Sequence, residues 1–192
     1  MENVRGLILE TLDYREKEKI LRVYTRENGK LSLIIKKKSG NHLLLEPLSE
    51  TEFIFKRHQG TLHPVKDASL INPRFHLRKN LSTLQSAGKL LQIILRSQLE
   101  EIPSPLLYQL LISYLDHLAE SPNLPLLIAS FQLKLLKHEG FIGDFPPPNC
   151  SYQEWEGILS LINTRSFAAL YQTPNALPLI PLTDHLFTSL QR

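Results

Sequence analysis

The stretch KILRVYTRENGKLSLIIK, residues 19–36, gives the clearest indication of the fold. Residues 30–36 alternate apolar and polar side chains with the two-residue period of a strand that is buried on one face. Residues 19–25 are rich in β-forming side chains. Asn28-Gly29 lies between the two halves and suits the positive φ angles of a tight turn. The stretch therefore predicts a β-hairpin.

Three further segments around this hairpin have strand character. They are Arg5–Leu12, Glu50–Arg57 and Thr61–Ser69. Five short strands followed by a change of pattern favour a small β-barrel, for which the five-stranded OB-fold is the first candidate. A five-stranded SH3-like barrel is the alternative.

From Asn72-Pro73 onward the apolar residues recur with helical period. Helices are predicted over Leu81–Leu95, after Ser104-Pro105, from about Leu124 to Glu139, after the capping box Ser151–Glu154, and from Thr183. Gly140 is the expected C-terminal cap of the third helix. The fold class is therefore α+β, with an OB-fold barrel over residues 1–75 and an all-helical domain over residues 76–192.

Composition describes an ordinary globular protein, with 42% hydrophobic and 21% charged residues. No apolar run approaches the ~20 residues that cross a bilayer. The N-terminus carries an acidic residue early and its apolar stretch is short, so we expect no secretory signal. Cys150 is the single cysteine, which excludes an internal disulfide and a multi-cysteine metal site. We expect a cytoplasmic protein without contact to a membrane.

The basic residues are concentrated in the predicted barrel. Residues 1–80 carry 16 Lys and Arg against 10 Asp and Glu, whereas the remainder carries 6 against 9. The barrel part is therefore formally +6 and the helical part −3. This division favours a barrel that binds a polyanion.

No pattern in the chain indicates catalysis. A phosphate-binding glycine loop, a G-x-S-x-G elbow and an H-E-x-x-H helix are all missing from the sequence. The seven histidines are scattered, and Cys150 has no patterned His or Asn partner. We expect no enzyme activity, no cofactor and no bound metal.

The predicted hairpin combines cations with an aromatic ring on one face. Surfaces that bind single-stranded nucleic acid use this combination, because cations contact phosphates and rings stack on bases. Protection of a sheet edge by lysines is the alternative, and the basic excess of the barrel favours the polyanion. The candidate residues are Arg22, Tyr24, Lys30, Lys36, Lys37 and Lys38.

The third predicted helix places Lys134 and Lys137 beside Leu133 and Leu136. These residues lie off the main apolar face of the helix and could form an apolar groove with a basic rim. A helix buried on two sides with two solvated lysines is the alternative. The pattern alone favours this second interpretation.

The order of motifs resembles the bacterial RecO family of recombination mediators. The similarity begins with GLILETLDYREKEKILRVYTRENGKLSLIIK, residues 6–36, and continues through Leu45-Glu46-Pro47-Leu48 and the strand Phe53–Phe55. It ends with FQLKLLKHEGF, residues 131–141. The resemblance implies an OB-fold, a helical domain and a role without enzymatic turnover. Members bind single- and double-stranded DNA, anneal complementary strands and help to load RecA.

The resemblance also implies partners. Family members act with RecR, sometimes with RecF, on DNA coated by single-stranded DNA-binding protein (SSB). Their basic barrel surface corresponds here to five of the hairpin candidates, which are Arg22, Lys30, Lys36, Lys37 and Lys38. Their site for the acidic, Phe-ended SSB tail corresponds to Lys134, Leu136, Lys137 and Phe141.

One departure from the family pattern concerns zinc. Many relatives insert a four-cysteine zinc module after the Gly-Phe turn, where this chain has GDFPPPNC, residues 143–150. A structural zinc site needs four N or S ligands, so zinc is not expected here.

A non-enzymatic adaptor whose barrel binds RNA or an acidic protein is the alternative function.

Overall fold

The computed structural model describes residues 1–36, 45–146, 150–173, 176 and 178–190. The chain forms two compact units, Met1–Ile112 and Ser113–Arg192. The first unit contains the barrel and the first helices, and the second contains only helices. The division between an OB domain and a helical domain at residue 75 stays a prediction.

Five strands build the barrel of the first unit. They are β1 (Glu2–Tyr14), β2 (Glu18–Thr25), β3 (Gly29–Lys36), β4 (Glu50–Phe55) and β5 (Leu62–Asn72). The closed order is β1-β2-β3-β5-β4, with β1 pairing to β4. The pairing of β3 with β5 is parallel, and the other pairings are antiparallel. This topology confirms the predicted OB-fold and excludes the SH3-like alternative.

The barrel interior is filled by the residues that the alternating pattern places on the inner face. Leu31 and Leu33 of β3 are fully buried, and Ile35 packs against the same core. The other strands contribute Val4, Ile8, Leu21, Val23, Phe53 and Phe55, together with Leu45 from the connection before β4. The core explains why these strands alternate between apolar and polar residues.

The helices follow the barrel in the order that the sequence predicts. They are α1 (Leu81–Ser97), α2 (Pro105–His117), α3 (Leu124–His138), α4 (Tyr152–Asn163), α5 (Phe167–Gln172) and α6 (Leu179–Leu190). Short 3-10 turns cover Phe75–Arg78 and Leu118–Glu120. The side chains of Ser151 and Glu154 form the predicted capping box of α4.

The last helix begins earlier in the chain than the sequence predicts. The last helix begins at Leu179 and not at Thr183, so Pro181 lies in its first turn. A proline is tolerated there because the first N–H groups of a helix have no partner within the helix. The short helix α5 has no counterpart in the prediction.

In the first unit, the segment after α1 runs along the start of β3. The backbone N–H of Glu101 donates to the carbonyl of Lys30 at 2.8 Å, and Lys30 and Glu100 form a parallel bridge. Gly29 has a φ of +69°, and a Cβ there would lie 2.1 Å from the carbonyl oxygen of Ile102. The turn before β3 therefore needs glycine both for its conformation and for the close approach of this segment.

A buried carboxylate joins several elements of the first unit. Glu50, at the start of β4, accepts from Nε of Arg5 at 2.7 Å, Nη2 of Arg74 at 3.3 Å and the hydroxyl of Tyr108 at 3.3 Å. Burial, followed by the nearby Glu50 charge, raises the pKa of Tyr108. The hydroxyl consequently keeps its proton and remains a donor. Strands β1 and β4, the turn before α1 and helix α2 meet at this carboxylate.

Gly29→Ala and Gly88→Ala form a matched pair that tests the contact between the turn and Ile102. We expect Gly29→Ala to lower the free energy of unfolding by at least ~1–3 kcal/mol, because alanine at positive φ is strained and its methyl group meets backbone. Gly88→Ala lies in α1 with no atom within 4 Å of the added carbon, so it should stabilise by ~0.5–1 kcal/mol. Urea unfolding measures both, and equal effects would contradict the proposed contact.

Candidate nucleic-acid and partner interfaces

The four described candidates of the hairpin, Arg22, Tyr24, Lys30 and Lys36, lie on the outer face of β2 and β3. The register pairs Tyr24 with Lys30 and Arg22 with Ser32, and it pairs Glu18 with Lys36 at the far end. These side chains alternate with the buried core residues of the same strands, so they point away from the barrel interior. These four residues do not share one environment, however, because the face is covered at one end and open at the other.

At the covered end, Lys30 and Tyr24 have internal roles. The Nζ atom of Lys30 donates to the carbonyls of Leu95 at 2.9 Å and Gln98 at 2.6 Å. Its residue is only 9% exposed, and burial lowers the pKa of its amine. Lysine therefore caps the C-terminal end of α1. The amine is engaged inside the protein in this structure, and a contact between Lys30 and phosphate stays a prediction.

Tyr24 is fully buried, with its ring centroid 5.9 Å from that of Tyr108. A nucleic-acid base can stack only on a ring that it can reach. The stacking platform expected at Tyr24 is therefore not present on this surface, and the ring contributes to packing between β2 and α2 instead.

Arg22 lies midway along the face and is paired. Its Nη1 donates to Oγ of Ser32 and to Oε1 of Glu100, both at 2.7 Å. The side chain is 36% exposed and therefore partly open to solvent. Its charge is largely balanced by the carboxylate, which makes it a weaker candidate for a phosphate than a free cation.

Lys36 lies at the open end. It is exposed on the last residue of β3, and within the described part of the chain it has no hydrogen bond or ion pair. Lys37 and Lys38 follow directly but lie outside the described residues. We refer to Lys36, Lys37 and Lys38 as the basic end. Of the six hairpin candidates, Lys36 is the described cation that is free to bind an external anion.

The helical candidates divide in the same way. The Nζ atom of Lys134 donates to the carbonyls of Ile162 at 2.8 Å and Thr164 at 2.7 Å, at the C-terminal end of α4. Burial lowers the pKa of this amine. Leu136 is buried in the core of the second unit. Both side chains are engaged inside the protein in this structure, and a groove that includes them stays a prediction.

Lys137 and Phe141 remain at the surface because of the way α3 ends. Gly140 adopts a φ of +78°, the N–H of Phe141 donates to the carbonyl of Leu136, and the N–H of Gly140 donates to that of Lys137. This is a Schellman cap, as Gly140 predicts. Phe141 is left 53% exposed, and Phe145 just beyond it is 85% exposed. We refer to Lys137, Phe141 and Phe145 as the aromatic patch.

The sequence did not reveal the internal partners that bind two of the predicted cations, Lys30 and Arg22. The acceptors of Lys30 lie 65 and 68 positions away, and the partner carboxylate of Arg22 lies 78 positions away. No local pattern indicates contacts at such separations. Phe145 was also missed, although a phenylalanine beside a run of prolines is a recognisable candidate for exposure.

Every helix in the described ranges is too short or too polar to cross a bilayer. Within the same ranges, no three His, Cys, Asp or Glu side chains are grouped to hold a metal ion.

Comparison with known proteins matches both parts of the chain. Residues 1–74 match the family model of the recombination protein O N terminal domain, and residues 78–145 match that of the C terminal domain. The chain belongs to the RecO family. The match to the N terminal model includes the whole OB barrel and its hairpin.

Several curated relatives of the chain are named DNA repair protein RecO. The Chlamydia muridarum protein is 35% identical over 96 residues, which cover 50% of this chain and 41% of the relative. The Exiguobacterium sibiricum protein is 28% identical over 144 residues, 73% of this chain and 57% of the relative. The Bacillus pumilus protein is 27% identical over 139 residues, 70% and 54% respectively. The chain thus spans about half the length of the RecO relatives that it matches.

Lys30→Met and Lys36→Met separate an internal lysine from a surface one. We expect Lys30→Met to lower the free energy of unfolding by ~1–3 kcal/mol, because two charge-assisted hydrogen bonds to α1 are lost. Lys36→Met should change it by less than ~0.5 kcal/mol. Urea unfolding of both variants provides the measurement. If Lys30→Met left the stability unchanged and weakened DNA binding, Lys30 would bind DNA and the internal role would be wrong.

Proposed function

We propose that this protein is a DNA repair and recombination mediator of the RecO type. It binds single- and double-stranded DNA, promotes annealing of complementary strands and helps to load RecA on SSB-coated DNA, without enzymatic turnover. One observation carries the proposal: the N-terminal and C-terminal RecO models match in order on one chain whose first unit is an OB barrel.

Charge supports the assignment of DNA binding to the first unit. Met1–Ile112 contains 18 Lys and Arg against 12 Asp and Glu, whereas Ser113–Arg192 contains 4 against 7. The basic end offers three consecutive cations, of which Lys36 is exposed at the end of β3. Cations on flexible stems bind phosphates without reading bases, which suits a protein that handles any sequence. Neutralised strands repel each other less and can therefore pair.

Replacing the basic end should weaken DNA binding in a salt-dependent manner. For the triple variant Lys36→Ala, Lys37→Ala, Lys38→Ala, we expect lower affinity for single-stranded DNA and a flatter plot of log affinity against log salt. The slope should fall by up to ~0.7 for each lost phosphate contact on a single strand. Fluorescence anisotropy at several salt concentrations measures both quantities.

A matched control for net charge is the triple variant Arg26→Ala, Lys56→Ala, Arg165→Ala, which removes three exposed cations away from the basic end. The assignment of the basic end is wrong if the two triple variants give the same titration. If the wild-type protein binds RNA or an acidic protein but not DNA at low salt, the adaptor function replaces the mediator.

The partner proposal concerns the second unit. We assign the acidic, Phe-ended tail of SSB to the aromatic patch, because Phe141 and Phe145 offer exposed apolar surface and Lys137 offers a cation beside it. Contacts with RecR, and through it with RecF, belong to the same proposal without assigned residues.

Phe141→Ala with Lys137→Glu should reduce the affinity for a peptide that ends in an acidic run and Phe by about tenfold or more. The reason is the combined loss of an apolar anchor and an attractive charge. Phe75→Ala is the matched control, since Phe75 is 52% exposed but lies in the first unit. Isothermal titration of the peptide gives the affinities. A similar loss in the control, or none in the double variant, would place the tail elsewhere.

A further inference from the structure

A long acid-free segment follows β5 and includes all of α1. Residues 68–99 contain five Lys and Arg but neither Asp nor Glu. Two of the five are used internally: Arg74 is buried against Glu50, and Arg78 donates to the carbonyls of Pro47 and Pro73. Lys79, Lys89 and Arg96 remain exposed.

The exposed polar residues of α1 form a straight line along the helix. Gln85, Lys89, Gln92 and Arg96 are all exposed, and their spacing of four, three and four residues keeps them within an arc of about 60°. The line is about 16 Å long at 1.5 Å per residue. We refer to these four residues as the α1 strip.

The opposite face of α1 is apolar and packs against the barrel. Leu90, Leu91 and Ile94 are buried there, and α1 contacts β1. Within the described residues, neither Lys89 nor Arg96 forms an ion pair. The exposed face of an ordinary solvated helix mixes both signs of charge and forms pairs three or four residues apart. The α1 strip instead offers cations and amide donors without a single acid.

The chemistry of the strip fits a phosphate backbone. Lys, Arg and Gln side chains are common donors to phosphate oxygens, and the strip contains no aromatic ring on which a base could stack. It therefore holds the backbone of a nucleic acid independently of sequence. An acidic protein is a weaker fit, because the strip offers no apolar anchor at its centre.

Arg96, at one end of the α1 strip, and Lys36, the described residue of the basic end, lie near opposite ends of β3. Arg96 follows Leu95, whose carbonyl accepts from Lys30 at the start of the strand. Lys36 is six residues further along the strand, which corresponds to about 20 Å. This distance is several times the ~3.4 Å rise per nucleotide. Arg96 and Lys36 are therefore too far apart to contact the same phosphate.

We propose that the α1 strip is a second DNA-backbone site in the first unit, so that one molecule holds two strands at once, one at the strip and one at the basic end. The inference rests on the proposed function for its ligand and adds the residues that bind the second strand. Holding two strands on one rigid unit raises their local concentration and offsets their mutual repulsion, which are the two obstacles to pairing.

The test compares annealing with simple binding. For Lys89→Glu with Arg96→Glu, we expect the annealing rate of complementary oligonucleotides to fall at least tenfold. Binding of one short single strand, which the basic end can hold alone, should weaken less than about threefold. The salt slope of duplex binding should fall by about 1.8, from two lost phosphate contacts at ~0.9 each. Stopped-flow fluorescence gives the rate and anisotropy gives the affinities.

Two further variants guard the interpretation. Lys56→Glu with Arg165→Glu makes the same change of net charge at exposed positions outside the strip and should anneal at the wild-type rate. Lys89→Gln with Arg96→Gln retains helix-forming side chains and should show an intermediate loss, which shows that the effect does not come from unfolding of α1. Thermal melting of each variant checks the fold.

The outcomes separate the inference from the proposed function. If the wild-type protein anneals DNA and the strip variant equals its charge-matched control, the second site is wrong and the mediator function stands. If the strip variant loses single-strand binding as strongly as annealing, the strip belongs to the first site and the two-strand arrangement is wrong. If the wild-type protein binds no DNA, both the function and the inference are overturned.

Discussion

The arrangement of the first unit depends on the hydrogen bonds that the buried side chain of Glu50 accepts. Glu50 lies at the start of β4 and is almost fully buried, where a lone charge would be unfavourable by several kcal/mol. Arg5, Arg74 and Tyr108 each donate to it. These donors come from β1, from the turn before α1 and from α2. The barrel and the helices that cover it are therefore oriented by one shared acceptor. Arg74 is itself fully buried, so water cannot replace Glu50 as the acceptor of its guanidinium.

The same interior contacts explain which predicted site residues remain available. Lys30 and Lys134 both look like ligand-binding cations in the sequence, and both cap the C-terminal carbonyls of a helix that comes much later in the chain. A lysine amine placed there donates to carbonyls that have no partner within their own helix. Its positive charge also interacts favourably with the negative end of the helix dipole. Lys36 differs because β3 ends beyond the helical cover. Position along the strand, more than residue type, decides between an internal and an external role.

The fold could be predicted from the sequence to a large extent because its signals are local. Two-residue alternation in residues 30–36, Asn28-Gly29 and the capping box of Ser151 each depend on neighbours within a few positions. The site could be predicted only in part. The burial of Tyr24 depends on Tyr108, and the pairing of Arg22 depends on Glu100, both far away in the chain. The early start of α6 was missed because Pro181 carries opposite meanings in the first turn and in the interior of a helix.

The capping of α1 by Lys30 has a mechanical consequence. Since the amine joins the end of α1 to the first residues of β3, the helix cannot slide along the barrel without leaving carbonyls and a buried cation without partners. The distance between the end of α1 at Arg96 and Lys36 is then set by the number of residues in β3 and not by their identity. The length of β3 would therefore keep two nucleic-acid backbones on this unit at a constant separation, whatever their sequences.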